Sequence, residues 1–232
     1  MPLLRVHGVS VSADGFSAGP RQSLTDPMGV GGMALHQWLF QTRTFQQMHR
    51  QSEASGSEVS GSEVHGREGD GLNAVDDDFA ARGFDGIGAW IIGRNMFGPT
   101  RGPWSESSWK GWWGDTPPFH APVFVLTNHP RDPLDMEGGT TFHFVTGGVV
   151  EAYERATNAA SGQDVRLGGG ANTIRQYLAA RLVDLMHVAA SPVLLGSGEH
   201  LFLGLDLPAL GYTVTEHVSS RAATHIVIRR TG

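Results

Sequence analysis

The sequence predicts an α/β domain, a mixed sheet with helices on its faces and an antiparallel pair of strands at its end. Three observations carry that expectation. Strand-like and helix-like segments alternate as far as Ala180, after which strands follow one another alone. Two apolar runs, Ile87 to Ile92 (IGAWII) and Pro122 to Leu126, have the short, uniformly hydrophobic character of strands buried on both faces. The stretch Asp164 to Ala180, DVRLGGGANTIRQYLAA, reads as a strand, a triple-glycine turn and a helix. Gly168, Gly169 and Gly170 let the backbone turn tightly and approach a ligand, and the helix opening at Ala171 points its free N–H groups at that turn. Dipole and amide donors act together at such an end, so the unit is a candidate phosphate seat. Ile174, Tyr177 and Leu178 recur at helical spacing and would hold the helix on the sheet.

In chain order, Leu3 to Val11 alternates and is rich in Val and Leu, reading as a buried first strand that runs into SADGF. There Asp14, beside Gly15, is either a turn residue bonding nearby backbone or an acid at the mouth of a ligand cleft. Arg21 to Gly32, with Pro27 and three glycines, reads as loop, and Met33 to Phe40 as a short amphipathic helix through Ala34, Trp38 and Leu39. After Gln51 the composition changes: SGSEVSGSEVHGREGDG carries GSEV twice and few apolar residues, predicting a flexible insertion at about 51–72 inside the domain. Asn73 to Ala81 returns to helix. Asp76, Asp77 and Asp78 point around that helix rather than converging on a metal, so they read as a solvated, dipole-complementing helix start.

Gly93 and Arg94 follow IGAWII and enter a short helix, offering amides and a guanidinium to an anion. Four of the six tryptophans then fall between Trp104 and Trp113, either as an aromatic wall over a planar ligand or, the reading we favour, as the core of a long loop. Thr127, Asn128, His129 and Arg131 make a polar, cationic end to the next strand. Thr140 to Val145 alternates as a strand, and a helix follows through Val149, Ala152, Tyr153 and Ala156. Beyond the glycine loop, Leu182 to Ala189 and Pro192 to Leu195 read as strand, Gly196 to Gly198 as turn, and Tyr212 to Val218 with Thr224 to Ile228 as the terminal antiparallel pair.

At 232 residues and 40% hydrophobic content the chain fits one domain, 1–232, with a substantial core. The net charge of −6 and the lack of a basic stripe argue against a nucleic-acid partner. With no cysteine, disulfides, thiolate metal sites and cysteine nucleophiles are excluded. The first apolar run is too short for a secretory signal and no run approaches about 18 residues, so neither a membrane segment nor export is expected, and the location expected is cytoplasmic. The eleven histidines show no HExxH spacing and read as structural or surface residues. GxSxG, GxxxxGK[ST] and a GxGxxG after the first strand are all missing, which leaves a nucleotide site that is neither P-loop nor Rossmann.

The ordered series SADG, IIGRNMFGP, FVLTNHPR, TFHFVTGG, DVRLGGGANTIRQYL and LVDLMHVAASPVLLGSGEHLF resembles the dihydrofolate reductase superfamily. Its nearest branch is the reductase domain of the bifunctional riboflavin-biosynthesis deaminase/reductase and its stand-alone relatives. The resemblance implies a single dihydrofolate-reductase-like domain, its central sheet mixed and mostly parallel with helices on both faces, and an NADPH site. Gly93, Arg94 and Asn95 would meet the cofactor phosphates, Thr127, Asn128 and Arg131 the 2′-phosphate side, and Gly168, Gly169, Gly170, Ala171 and Asn172 the pyrophosphate, with Thr173 a further contact. Asp14 lies on the substrate side as the candidate catalytic acid, ahead of Asp26, His36 or water. The implied partners are a small-molecule substrate and a second copy in a homodimer. The expected activity is NADPH-dependent hydride transfer to a carbonyl or imine of a small heterocyclic or sugar-derived substrate. The alternatives are the 5-amino-6-(5-phosphoribosylamino)uracil reductase of riboflavin biosynthesis, with Arg101 and Lys110 as candidate phosphate contacts, and a non-catalytic NADP(H)-binding protein. Met33 to Phe40 contains no acid, which argues against dihydrofolate as substrate.

Overall fold

The computed structural model describes residues 2–54, 74–98, 102–104 and 109–231. Nine strands form one sheet: β1 Leu4–Ser12, β2 Ile87–Gly93, β3 Pro122–Leu126, β4 Leu134–Asp135, β5 Thr141–Val145, β6 Asp164–Gly169, β7 Leu185–Ser191, β8 Tyr212–Ser219 and β9 Thr224–Arg230. Their spatial order is β4-β5-β3-β2-β6-β1-β7-β9-β8. From β5 to β7 every neighbouring pair is parallel; β4 on one edge and the β9-β8 pair on the other are antiparallel. The expected mixed, mostly parallel sheet with a terminal antiparallel pair is what the chain builds.

Among the described residues six α-helices accompany it: α1 Gln37–Phe40, α2 Arg43–Ala54, α3 Ala74–Arg82, α4 Arg94–Phe97, α5 Gly148–Ala159 and α6 Ala171–Ala179. The period-2 alternation of the strands divides the helices between two faces. Leu4, Val6, Met186 and Val188 point to the face covered by Ala152 and Ala156 of α5 and by Ile174, Tyr177 and Leu178 of α6. Trp38 of α1 and Ala80 of α3 cover Ala189 and Ala223 on the other face, where the Trp38 indole N–H also donates to Ser10. A third cluster joins Trp90, Ile92, Val123, Val125, Phe142 and Phe144 with Phe97 of α4. Burial of Ile174, Tyr177 and Leu178, each at most 1% exposed, stabilises α6 against the sheet by roughly 1.5–3 kcal/mol per side chain.

Several expectations are corrected. The expected insertion falls outside the described residues from 55 onward, and its first residues, 51–54, finish α2. That helix escaped notice because QTRTFQQMHRQSEA carries only Phe45 and Met48 as large apolar residues. The two strands expected at Leu182 to Ala189 and Pro192 to Leu195 are one, Leu185–Ser191. Leu182 N–H still bonds Tyr177 at the exit of α6, and Pro192, which has no N–H, ends the ladder. Leu134–Asp135 is too short to leave a period.

The aspartates at the start of α3 do diverge, yet Asp76 is not solvated, being 1% exposed. Its carboxylate accepts from His225 Nε2 at 2.8 Å, and His225 Nδ1 lies 3.0 Å from His187 Nε2. Gly8 N–H donates to His187 Nδ1 at 3.2 Å, so each ring has one nitrogen to give with and one to receive with. Phe79 stacks on His225 with the ring planes 5° apart. The chain of bonds ends on β1 where its register shifts between Val6 and Val9 and Gly8 takes φ +73°, a bulge that re-aims the strand.

Candidate functional site

A cavity of about 680 Å³ follows the carboxyl ends of the parallel strands, where ligands of open α/β sheets bind. Gly93, Arg94 and Asn95 at the exit of β2, Thr127 and Asn128 after β3, and the whole of Gly168 to Thr173 line it together. Residues up to 80 positions apart in sequence thus share one wall. Arg131 and Asp14 are not on that wall.

Glycine is needed at two of these positions. A Cβ on Gly93 would come 2.3 Å from Thr173 Oγ1, so the exit of β2 and the start of α6 touch with no side chain between them. Gly169 has φ +133°, a backbone angle that favours glycine. Gly170 then caps α6 with extended backbone and no side-chain bond, leaving the first amides of the helix without a capping acceptor. These amides face the cavity from a helix whose apolar side is fully buried. An anion placed there meets fixed donors and the positive end of the helix dipole.

Arg94 supplies the full charge. Its guanidinium carbon lies 3.1 Å from the centroid of the Trp104 ring, and its three side-chain nitrogens are buried with no hydrogen-bond partner among the described residues. Burial, with a contribution from Arg131, pulls its pKa down to about 10, which still leaves it cationic at neutral pH. Arg131 sits beside it, 5.0 Å over the same Trp104 ring, and donates to the Trp109 carbonyl at 2.8 Å. It therefore contributes charge to the site from behind the wall rather than a contact within it. Thr127 Oγ1 accepts from His129 N–H at 3.1 Å, which closes the turn that presents Asn128.

The tryptophan segment divides between the two roles considered for it. Trp104 donates to the His129 carbonyl at 2.9 Å and Trp109 to the Phe97 carbonyl at 3.0 Å, fastening the loop to the cluster around Phe97. Trp112 and Trp113 line the cavity.

Asp14 takes the turn role considered for it. Its carboxylate accepts from the N–H groups of Leu195 at 3.1 Å and Gly196 at 2.6 Å, pinning the loop after β7. The Ser12 hydroxyl and these amides hold its pKa down to about 2, where it has no proton to give near neutrality. Asp26 also lies off the cavity wall, whereas His36 is on it. Lys110 is paired with Asp115 at 2.8 Å, and Arg101 lies outside the described residues. Sequence reasoning missed Gly8, Ser10, Gln22 and Glu199, which also line the wall. LLGSGEHLF read only as a turn, and nothing local showed that its glutamate would fold back beside the exit of β1.

Sheet order, the glycine-rich cradle at the strand ends and the covering helices define a dihydrofolate-reductase-like α/β domain. The RibD C-terminal domain family matches residues 7–227, and the chain belongs to that family, whose members are NADPH-dependent oxidoreductases. Among solved structures, a protein assigned to riboflavin biosynthesis from Shewanella sp. PV-4 superposes with TM-score 0.53 at 20% identity, covering 100% of both chains. The diaminohydroxyphosphoribosylaminopyrimidine deaminase/5-amino-6-(5-phosphoribosylamino)uracil reductase of Thermotoga maritima gives 0.50 at 11% identity, covering 99% of this chain and 57% of that one. RibD of Acinetobacter baumannii gives 0.50 at 13%, covering 100% of this chain and 59% of that one. This chain thus spans little more than half of the latter two proteins. At these identities the likeness concerns the fold. No curated protein matches the chain. No helix among the described residues is long and apolar enough to cross a membrane.

Proposed function

We propose that the chain is an NADPH-dependent reductase of a small heterocyclic or sugar-derived carbonyl or imine. The observation that carries the choice of cofactor is the Arg94 guanidinium, buried on the cavity wall without an acceptor among the described residues, one residue after the Gly93 that touches the start of α6 and its uncapped amides. A buried cation and a ring of unsatisfied donors fit a phosphorylated dinucleotide. NADPH, when bound, supplies the hydride.

On this reading Gly168 to Asn172 hold the pyrophosphate, with Thr173 at their edge. Gly93, Arg94 and Asn95 meet phosphate oxygens, Thr127 and Asn128 receive the 2′-phosphate side, and Arg131 adds its charge from the second layer. The protein's own work is to fix donor and acceptor in contact and to keep bulk water from the transfer. The proton for the reduced centre comes from water. Asp14 is committed to backbone, and His36 Nδ1–H is directed at the Gly32 carbonyl, 3.3 Å away. The apolar strands near the C-terminus suit pairing of two copies, and the protein works in the cytoplasm.

Titration with NADPH and, separately, NADH tests this through tryptophan quenching, since Trp112 and Trp113 line the cavity. Saturable binding that prefers NADPH is expected, together with loss of at least about tenfold in affinity in Gly169→Asp, whose carboxylate meets the phosphates. Failure to bind either nucleotide sinks the reductase reading. A second reading, reduction of 5-amino-6-(5-phosphoribosylamino)uracil, is supported by the family match. It needs a cation for the substrate phosphate as well as one for the cofactor.

A further inference from the structure

Arg94 is held by a ring. Its guanidinium carbon lies 3.1 Å from the centroid of Trp104, a distance that only the face of the indole allows, and none of its side-chain nitrogens has a partner among the described residues. A carboxylate in that place would neutralise the cation and occupy the donors that a phosphate needs. An aromatic face restrains the guanidinium through its quadrupole and leaves both charge and N–H groups to a ligand. Trp104 itself is off the cavity wall, so it stands behind Arg94.

The indole is fixed in turn. Phe97 and Phe144 cross it in T-shaped contacts, with centroids 5.8 and 5.0 Å away. Its N–H donates to the His129 carbonyl at 2.9 Å. The same carbonyl accepts from the Thr127 hydroxyl at 3.3 Å, within the turn that carries Asn128 to the wall. One side chain thus touches two candidate phosphate contacts, the cation at the exit of β2 and the turn at the exit of β3. Arg131 brings a second guanidinium to within 5.0 Å of the same ring. Two like charges so close repel each other until an anion arrives, and a dianion offsets that repulsion better than a monoanion. A phosphate monoester, at about −1.5 to −2 near pH 7, is such a group.

Resting on the reductase reading above, we infer that Trp104 is a positioning residue for the choice of cofactor. It holds Arg94 and the Asn128 turn in place for a phosphate monoester, the 2′-phosphate that separates NADPH from NADH. Without the ring Arg94 is free to leave the wall, and binding must first order it.

Calorimetric titration of the full chain with NADPH and, separately, NADH reads the effect. Wild type is expected to prefer NADPH by at least about tenfold. Trp104→Met should weaken NADPH about 5- to 20-fold and NADH by less than about threefold, whereas a general loosening of the fold weakens both alike. Trp104→Phe keeps an aromatic face and should lose less than about threefold of the preference. In the Arg94→Met background, adding Trp104→Met should cost NADPH less than about threefold more, because the ring acts through that cation. Equal weakening of both nucleotides, no weakening, or the same loss with and without Arg94 overturns the inference while the nucleotide site stands. Wild type binding both nucleotides alike overturns it too, and wild type binding neither removes the reductase reading with it. Should Trp104→Met fold poorly, NMR of the wild-type chain decides. The Arg94 Nε–H signal, assigned by its loss in Arg94→Met, is expected to be displaced upfield by the ring and to move with NADPH more than with NADH. An undisplaced signal, or an equal response to the two nucleotides, overturns the inference.

Discussion

Two arginines show the difference between a charge that builds the protein and one that is kept for a ligand. Arg166 on β6 donates to the Gly83 carbonyl at 2.7 Å and to the His7 carbonyl at 3.0 Å, and lies over Phe84 and Trp90 at 4.5 and 4.6 Å. Burial brings its pKa down to about 9. Arg94 also lies over an aromatic ring and is also pulled down, to about 10, yet none of its side-chain nitrogens has an acceptor among the described residues. Stacking alone does not distinguish a structural cation from a functional one. Whether the two terminal nitrogens are satisfied does: both are in Arg166, which leaves only Nε without a partner among the described residues, and neither is in Arg94.

The sharpest way to break that contrast is substitution of each arginine by methionine. Arg166→Met strands two carbonyls and removes two stacking contacts, so a loss of about 2–4 kcal/mol is expected, read as a melting temperature lower by about 5–15 °C. Its NADPH affinity should stay within about threefold of wild type. Arg94→Met should do the reverse: NADPH affinity falls about 10- to 100-fold in fluorescence titration while the melting temperature moves by less than about 3 °C. If both variants melt early and both bind normally, Arg94 is structural too and the contrast is gone.

A smaller effect extends the comparison from cations to the groups that acid will charge. Burial lowers the pKa of His7 from 6.5 to about 4. The folded protein resists that proton, so stability is full above pH 6.5 and declines as pH falls through about 4. Asp14, lowered from 3.8 to about 2 by Ser12 and two backbone amides, gives stability that is full above pH 3.8 and is lost on the way through about 2. Denaturant melts across this range should show two windows. Asp14→Asn should flatten only the lower one, and an unchanged profile would remove Asp14 from the clamp on the loop after β7.

Much of this architecture was legible in the sequence because it rests on local patterns. Ile87 to Ile92 and Pro122 to Leu126 are apolar throughout because helices or loops cover both sides of them, and α6 reads clearly because Ile174, Tyr177 and Leu178 all face the sheet. The phosphate-seat candidates were legible because each sits where a strand gives way to a turn or helix. What stayed hidden depends on contacts across the chain. α2 has too few apolar residues to show a period, and β4 has two residues in all. Asp14 and Glu199 are both single acids beside glycines in loops. Only the fold spends one on the amides of Leu195 and Gly196 and leaves the other facing the cavity. Asp76 looked like its two neighbours until His225 was brought against it from 149 residues away.

The run of bonds from Gly8 through His187 and His225 to Asp76 has a bearing on how this protein can diverge among its descendants. Each proton in it is handed the same way, and both rings are sealed from solvent. Replacing any one member leaves a donor or acceptor on the others with nowhere to turn, next to the bulge that forms a wall of the cavity. Asp76, His187 and His225 therefore behave as one inherited character, kept whole or exchanged whole, while Asp78, paired with a half-exposed Arg82, is free to drift.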